Sequence, residues 1–271
     1  MIYLILVLLG LCFGSFVNAV VWRIHQQETV KKKQKNLSIL NGRSMCPSCK
    51  HQLSSSDLIP ILSWLTLGGK CRYCRKSIPW QYPVVELGLA IVFVVSYIYW
   101  PFSLSGLGIV EFAIWLVMLI GFMVIFVYDL RWMIIPDRVI LPLIILAMFF
   151  VIVLCIDSAS LRPALDAIVG VLIASGLFYA LFQLSGGKWI GGGDVKLGIV
   201  IGLIIGGALP AVLVLFIASL LGTFVSIPLL VTGSGRKKKI PFGPFLVIAT
   251  VIVFIFGQVL IDWYQTKILL L

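Results

Sequence analysis

Long uncharged runs dominate the chain and alternate with short segments that carry most of the charges. Apolar stretches of about 20 residues are long enough to cross a bilayer as helices. The pattern therefore predicts an all-α polytopic membrane protein with about eight transmembrane helices. We expect these helices at about 2–22, 84–100, 106–128, 138–156, 163–185, 194–207, 209–231 and 242–262.

The uncharged run at 197–235 is too long for a single crossing. Gly206, Gly207 and Pro210 lie inside it and predict the turn that divides it. The helix predicted before this turn, 194–207, is short for a span. We therefore expect it to begin in a cavity rather than in lipid.

The basic residues predict an orientation, because positive charge accumulates in cytoplasmic loops. If residues 23–83 are cytoplasmic, then 129–138, 186–196 and 232–241 are cytoplasmic as well. These four segments hold 19 of the 21 Lys and Arg residues. The split favours eight spans with the N-terminus outside.

Composition supports a membrane class, since 61% of the residues are hydrophobic and only 11% are charged. Soluble domains carry about 25% charged residues. The net charge of +11 would suggest nucleic acid in a soluble protein. In a membrane protein it is better explained by basic loops, so we expect a lipid bilayer as partner and no nucleic acid.

Four cysteines form two CxxC pairs in the polar segment between the first two helices. Each CxxC turn brings two thiolates to one metal, and two turns complete a tetrahedron. The pattern predicts a zinc-ribbon-like cytoplasmic loop with structural zinc. Free thiols or a redox pair remain the alternatives. The predicted ligands are Cys46, Cys49, Cys71 and Cys74.

Two acidic residues are predicted at cytoplasmic helix ends, Asp129 in VYDLRWMIIPD and Asp194 in GGGDVK. Carboxylates at membrane depth are costly and usually functional. Two that share a proton can activate water and polarise a carbonyl, as in aspartic proteases. The alternatives are interfacial solvation or pairing with Arg131 for Asp129, and helix capping for Asp194. Asp137 is expected to cap the helix that follows it.

Small and acidic residues near these positions suggest further roles. Gly191 and Gly193 are expected to adopt backbone conformations closed to other residues and to admit a substrate backbone. Glu86 is a candidate for binding a cation or a substrate amine, or an interfacial residue. The tract GSFVN at 14–18 puts Gly, Ser and Asn inside the first helix, which predicts close helix packing, with a binding site as the alternative.

Two other classes compete with an intramembrane aspartyl peptidase. A transporter or channel could use Asp129 and Asp194 as a proton or cation relay, although such sites cluster near the bilayer midplane. A non-enzymatic assembly factor could recruit partners through the cysteine loop, but it would leave both aspartates without a purpose.

The motifs resemble those of the type IV prepilin peptidase family, the bacterial leader peptidase/N-methyltransferases, over nearly the whole chain. Aspartates in the contexts DLRWMIIPD at 129–137 and GxGD, together with a four-cysteine loop, are a specific combination. His25 departs from the proline common in such sequences. The matching segments include GSFVNAVVWR at 14–23, RSMCPSC at 43–49, DLIPILSW at 57–64, GGKCRYCRKSIPWQYPVVEL at 69–88 and PFGPFL at 241–246.

The resemblance implies that Asp129 and Asp194 are catalytic. It implies cleavage of type IV prepilins and pseudopilins after Gly, in pilus or type II secretion systems of the bacterial inner membrane. It also implies methylation of the new N-terminal amine with S-adenosylmethionine. The implied domains are residues 1–100, with the zinc loop and the methyltransferase region, and residues 101–271, the six-helix peptidase.

Overall fold

The computed structural model describes residues 1–29, 44–231 and 240–267, and all regular structure in these parts is helical. This confirms the all-α prediction. Nine α-helices are numbered in chain order, and one 3₁₀ turn lies at Ser55–Leu58. They are α1 Ile2–Thr29, α2 Leu62–Thr66, α3 Gln81–Ile98, α4 Gly108–Trp132, α5 Asp137–Asp157, α6 Arg162–Ser185, α7 Gly192–Ile205, α8 Ala208–Val231 and α9 Gly243–Lys267.

Seven of the helices in the described parts are long and apolar enough to cross a membrane; α2 and α7 are not among them. Helix α7 corresponds to the sixth predicted span, 194–207, but has only 14 residues. It is therefore about 21 Å long, against about 30 Å for a hydrocarbon core. Its Leu197, Val200 and Ile201 are fully buried. Other helices surround α7, so it does not need to span lipid.

The chain divides into two compact units, Met1–Ile98 and Tyr99–Leu271. In the first, α1 packs directly on α3. A Cβ added at Gly10 would lie 2.4 Å from the Cα of Ala90, and one at Gly14 would lie 2.5 Å from the Cα of Glu86. The prediction of close packing around Gly14 is confirmed, since only glycine permits this approach.

Helix α1 extends beyond its predicted end at residue 22, and its described part reaches Thr29. Val21 and Ile24 are both buried, so the packed face of α1 continues past the first charged residue. Arg23 itself is only 5% exposed. The predicted start of the loop at residue 23 was therefore wrong. Residues 30–43 of that loop lie outside the described parts.

In the second unit, α7 lies against α6 with almost no side chain between them. A Cβ at Gly202 would lie 2.3 Å from the backbone nitrogen of Val171, and one at Gly170 would lie 2.4 Å from the carbonyl oxygen of Gly202. Gly206 and Gly207 have φ of 62° and 67°, a conformation that favours glycine. The predicted turn between α7 and α8 is thus confirmed.

Candidate active site and cysteine site

Asp129 lies in the last turn of α4, with only 5% of its surface exposed. Its Oδ2 accepts a hydrogen bond of 3.1 Å from the backbone N–H of Gly243, the first residue of α9. A helix N-terminus carries partial positive charge and stabilises a nearby carboxylate. The start of α9 therefore fixes the position of the Asp129 carboxylate, although α4 and α9 are far apart in sequence.

Gly243 permits this contact because it has no side chain. A Cβ at this position would lie 2.6 Å from Oδ2 of Asp129. Sequence reasoning singled out PFGPFL only as part of a resemblance and assigned Gly243 no role. A glycine between two prolines just before an apolar run is the signal that could have identified a helix start with a close neighbour.

Asp194 lies in the first turn of α7 and is half-buried. Its Oδ2 accepts a 3.2 Å hydrogen bond from the N–H of Gly191, and its own N–H donates to the Gly191 carbonyl at 3.1 Å. The N-cap is Gly191 rather than Asp194. Asp194 nevertheless helps to cap α7, so the capping alternative describes part of its environment.

The fold brings the two acidic residues together although 65 positions separate them in sequence. Asp129 accepts a hydrogen bond from Gly243, and the preceding residue, Phe242, lines the same cavity as Asp194. Within the described parts of the chain, Arg131 forms no ion pair with Asp129; its guanidinium lies over the ring of Trp132, 5.7 Å from the centroid. Two adjacent carboxyl groups can divide the roles of base and acid between them.

The expected conformational role of Gly191 and Gly193 was wrong. Gly191 has φ −79° and ψ 151°, which any residue can adopt, and Gly193 is helical without a positive φ. Gly193 is required for packing instead, because its Cβ would lie 2.9 Å from the Cβ of Ile135. The first turn of α7 thus contacts the segment that follows Asp129 in sequence.

A second contact links the same segments. Asp137 was expected to cap α5, but Pro136 is the N-cap and Asp137 is the first helical residue. Its carboxylate is free to point elsewhere and pairs with the ammonium group of Lys196 on α7. Both side chains are substantially exposed, so the pair contributes little energy by itself.

A cavity of about 280 Å³ lies beside Asp194. Its walls come from α6, the α6–α7 loop, α8 and the residue before α9. Apart from Asp194 and Ser219 the lining side chains are apolar or aromatic, which suits an apolar peptide segment. They are Leu177, Phe178, Leu181, Trp189, Ile190, Leu215 and Phe242.

The four predicted cysteines come together in the first unit, with their sulfur atoms all within 4.8 Å of one another. Cys46 and Cys74 Sγ atoms are 3.9 Å apart. This is close to the edge of about 3.8 Å that a tetrahedron with 2.3 Å Zn–S bonds requires. It is far longer than a disulfide bond of about 2.05 Å. The residues fit a metal ion.

The two CxxC turns share one backbone geometry. Lys50 and Arg75, each directly after a second cysteine, both have φ of 60°. The N–H of each donates at 2.9 Å to the carbonyl of the first cysteine, Cys46 or Cys71. An antiparallel bridge closes each turn, Met45 with Gln52 and Lys70 with Ser77. The equivalence indicates two matched halves around one ion.

The thiols of Cys46 and Cys74 differ in their tendency to ionise. Burial opposes ionisation of Cys46, but hydrogen bonds from the backbone of Cys49 and Ser48 lower its pKa to about 7. At Cys74 a backbone hydrogen bond from Lys76 favours the thiolate, but burial and the neighbouring sulfurs outweigh it and raise the pKa to about 11. A cation would be needed to hold all four sulfurs as thiolates.

Asp57 supports the second turn, a role that sequence reasoning missed. Its side chain is 4% exposed and accepts hydrogen bonds from Arg72 Nε at 2.7 Å and Tyr73 Oη at 3.1 Å. Both residues lie between Cys71 and Cys74. Burial opposes ionisation, but Ser54 and Arg72 outweigh it and lower the pKa of Asp57 to about 2. The spacing of DLIP from the cysteines gives no signal for this contact.

Asp57→Asn should weaken zinc binding about tenfold, because residues that orient metal ligands typically contribute this much. The folded pKa lies below the ordinary 3.8, so the stabilisation by Asp57 is complete above pH 3.8 and is lost as pH falls towards 2. The difference between wild type and variant should therefore stay constant around neutral pH. Competition with a zinc chelator measures it.

Ser55→Ala is the matched control, since Ser55 is exposed in the same 3₁₀ turn. It should bind zinc as the wild type does, while Cys46→Ser should lose most of the metal. Equal zinc affinity in Asp57→Asn and Ser55→Ala would contradict the role given to Asp57.

Glu86 is buried rather than interfacial, with 5% of its surface exposed. Its Oε2 accepts a 2.7 Å hydrogen bond from the N–H of Ile61, and Ser15 lies within hydrogen-bonding reach. Ile61 has φ +61°, which is strained for a β-branched residue. Glu86 therefore helps to hold the loop on α3. Its role towards substrate stays a prediction.

Comparisons with known proteins give a consistent result. Residues 8–100 match the bacterial peptidase A24 N-terminal domain, and residues 116–227 match the type IV leader peptidase family. No solved structure matches the chain.

Curated relatives match almost end to end. The prepilin leader peptidase/N-methyltransferase of Aeromonas hydrophila is 34% identical, covering 97% of this chain and 93% of the relative. Proteins of the same name from Bacillus subtilis strain 168 and Pseudomonas aeruginosa are 31% and 30% identical, covering 96% and 93% of this chain and 96% and 89% of the relatives. The chain therefore belongs to the type IV leader peptidase family.

Proposed function

We propose that Asp129 and Asp194 form the carboxyl pair with which this chain cleaves the leader from prepilins. The observation that carries the proposal is the position of these two acids, from separate helices, on either side of Phe242 and Gly243 beside an apolar cavity. One carboxylate acts as general base on a water molecule. The other, protonated, donates to the scissile carbonyl and stabilises the charge that develops there.

The surroundings of the two carboxyl groups support these roles as general base and proton donor. The N-termini of α7 and α9 face the carboxyl groups through Gly191 and Gly243, so both acids are held by backbone rather than by mobile side chains. The cavity beside Asp194 accepts apolar side chains next to the scissile bond. Gly191 is the glycine proposed to leave room for the substrate backbone, because a Cβ there would lie 3.5 Å from Oδ2 of Asp194; Gly193 faces Ile135 instead.

The substrate class follows from the relatives, which carry the name prepilin leader peptidase/N-methyltransferase. We propose that the chain acts on prepilins and pseudopilins and cuts after a glycine that follows a basic leader. The chain is a multi-pass membrane protein. Placing its N-terminus outside, in the bacterial inner membrane, puts Asp129 and Asp194 at the cytoplasmic face, where the leader would lie.

The relatives' name contains a second activity, methyl transfer to the new N-terminal amine. We assign it to residues 1–100 with S-adenosylmethionine as the methyl donor. The four cysteines of this region hold structural zinc, since four protein ligands leave no open position for substrate. Glu86, buried between α1 and α3, is the proposed contact for the substrate amine.

Methylation should survive loss of the peptidase pair. Asp194→Asn should methylate a pre-cleaved pilin at a rate near that of the wild type, because Asp194 belongs to the second unit and the transferase is assigned to the first. The rate is measured as transfer of a tritium-labelled methyl group from S-adenosylmethionine to the pilin. Loss of methylation in Asp194→Asn but not in Asp166→Asn would contradict the assignment.

The direct test of the proposed function uses purified full-length protein and a prepilin with a basic leader ending in glycine. Mass spectrometry should find the free leader and a shortened pilin, and the pilin should gain one methyl group when S-adenosylmethionine is added. The comparisons do not support the transporter alternative. An intact prepilin after incubation with well-folded protein would contradict the peptidase proposal.

A further inference from the structure

The short helix α2, in the loop that carries the cysteines, has an exposed apolar face. Leu62 and Leu65 lie three residues apart on one side of this helix, and each has 59% of its surface exposed. Ile59, shortly before α2, is exposed as well. Neighbouring large apolar side chains that are exposed together mark an interaction surface.

A hydrogen bond fixes the height of α2 relative to the membrane span α3. The N–H of Ile61, the residue before α2, donates to Oε2 of Glu86 at 2.7 Å. Glu86 lies five residues after Gln81, the first residue of α3, which is about 7.5 Å along the helix axis. Its side chain points back towards the start of α3 and recovers only part of this distance. Helix α2 therefore begins level with the first turns of α3.

The first turns of α3 belong to the membrane-spanning part of the chain. Helix α3 has 18 residues and is about 27 Å long, so all of it is needed to cross a hydrocarbon core of about 30 Å. A segment level with its first turns lies at the edge of the hydrocarbon and not in the water above it. The exposed leucines of α2 are at this edge.

Two tryptophans give a second, independent measure of the same height. The ring centroids of Trp64 in α2 and Trp80, the residue before α3, are 4.2 Å apart. Nε1 of Trp64 donates to the carbonyl of Ile78 at 3.2 Å. Tryptophan is enriched at the boundary between membrane and water, where its ring is in an apolar environment and its N–H keeps a polar partner.

The lipid-facing side of α3 leads directly to these tryptophans. Val84, Leu87 and Ile91 are exposed and follow one face of the helix. Trp80 is exposed too and starts this row, since its carbonyl accepts the helical hydrogen bond of Val84 at 3.2 Å. The apolar surface therefore continues from the membrane span through Trp80 to Trp64 of α2.

We propose that α2 lies in the interfacial layer of the bilayer, with Leu62 and Leu65 inserted among the lipids. Interfacial helices bury an apolar face about 5–10 Å deep, at the boundary between headgroups and acyl chains. Insertion removes both leucines from water, which is the driving force. Helix α2 then anchors the cysteine-bearing loop to the membrane in addition to its covalent links to α1 and α3. This membrane contact is independent of the peptidase activity.

Fluorescence quenching in the full-length protein tests the proposal. A fluorescent amino acid replaces Leu62, and the protein is placed in nanodiscs of phosphatidylcholine and phosphatidylglycerol. Lipids with brominated acyl chains should reduce the emission. Lack of quenching by brominated lipid would overturn the proposal, and aqueous iodide then distinguishes the reason. Quenching by iodide would show that position 62 faces water, and quenching by neither agent would show that protein covers it.

Three further positions of the fluorescent amino acid complete the test. Position 65 should respond as position 62 does, and it decides the matter if the first variant does not fold. Position 84, exposed on α3, sets the response of a residue in contact with lipid.

Position 29 is the aqueous control, because Thr29 is exposed and lies seven residues beyond Trp22, about 10 Å further along α1. Iodide should quench the emission there, and brominated lipid should not. Equal quenching by brominated lipid at positions 29 and 62 would contradict a specific insertion of α2.

Discussion

Asp129→Asn and Asp194→Asn should each abolish detectable prepilin cleavage while leaving the protein folded. An amide can neither accept a proton from water nor give one to a carbonyl, so the pair loses one of its two roles. We expect the cleavage rate to fall by at least about 10³-fold in each variant. Mass spectrometry of a prepilin after timed incubation measures the loss.

Asp166→Asn serves as the matched control for both variants. Asp166 is an aspartate of the same unit whose side chain is half exposed and pairs with Arg162. Cleavage and melting temperature should stay near the wild-type values in this control. Near wild-type cleavage by either Asp129→Asn or Asp194→Asn would refute the assignment of the carboxyl pair.

Gly243→Ala should reduce cleavage about a hundredfold, although the change adds one methyl group and removes no functional group. The new carbon would lie 2.6 Å from Oδ2 of Asp129, so either the carboxylate or the start of α9 must move. A displacement of about 1 Å in an active site is enough for an effect of this size. Single-turnover cleavage measures the chemical step directly.

Gly176→Ala is the control for the added methyl group. Gly176 lies within α6, and a Cβ at that position has no atom within 4 Å. Cleavage should be unchanged, and the melting temperature should be unchanged or higher, because alanine favours helix. Equal activity in the two glycine variants would mean that the Gly243–Asp129 contact is not needed for catalysis.

The sequence predicted elements that depend on local composition. The apolar runs predicted the membrane helices, the two glycines at 206 and 207 predicted the turn before α8, and the paired CxxC motifs predicted the cysteine cluster. Each of these signals is contained in a short window. Of the eight predicted spans, seven are long and apolar enough to cross a membrane in the described parts of the chain, and the remaining one is the short α7, which packs against other helices.

Contacts between distant segments could not be predicted in the same way. The bond from Gly243 to Asp129 joins residues 114 positions apart, and the bonds from Asp57 to Arg72 and Tyr73 depend on how the loop folds. The expected role of Gly193 failed for the same reason. A glycine is needed at position 193 because a side chain there would collide with Ile135. Only the packing of α7 brings these two residues together.

The glycine contact between α6 and α7 has a mechanical consequence. An isolated helix of 14 residues is only marginally stable. Helix α7 by itself would therefore not hold the Asp194 carboxylate within fractions of an ångström. Gly170 and Gly202 bring the two backbones into direct contact, with no flexible side chain to act as a spring. We therefore expect α7 and the 24-residue α6 to move as one rigid body, so that the position of Asp194 is fixed by the longer helix as well.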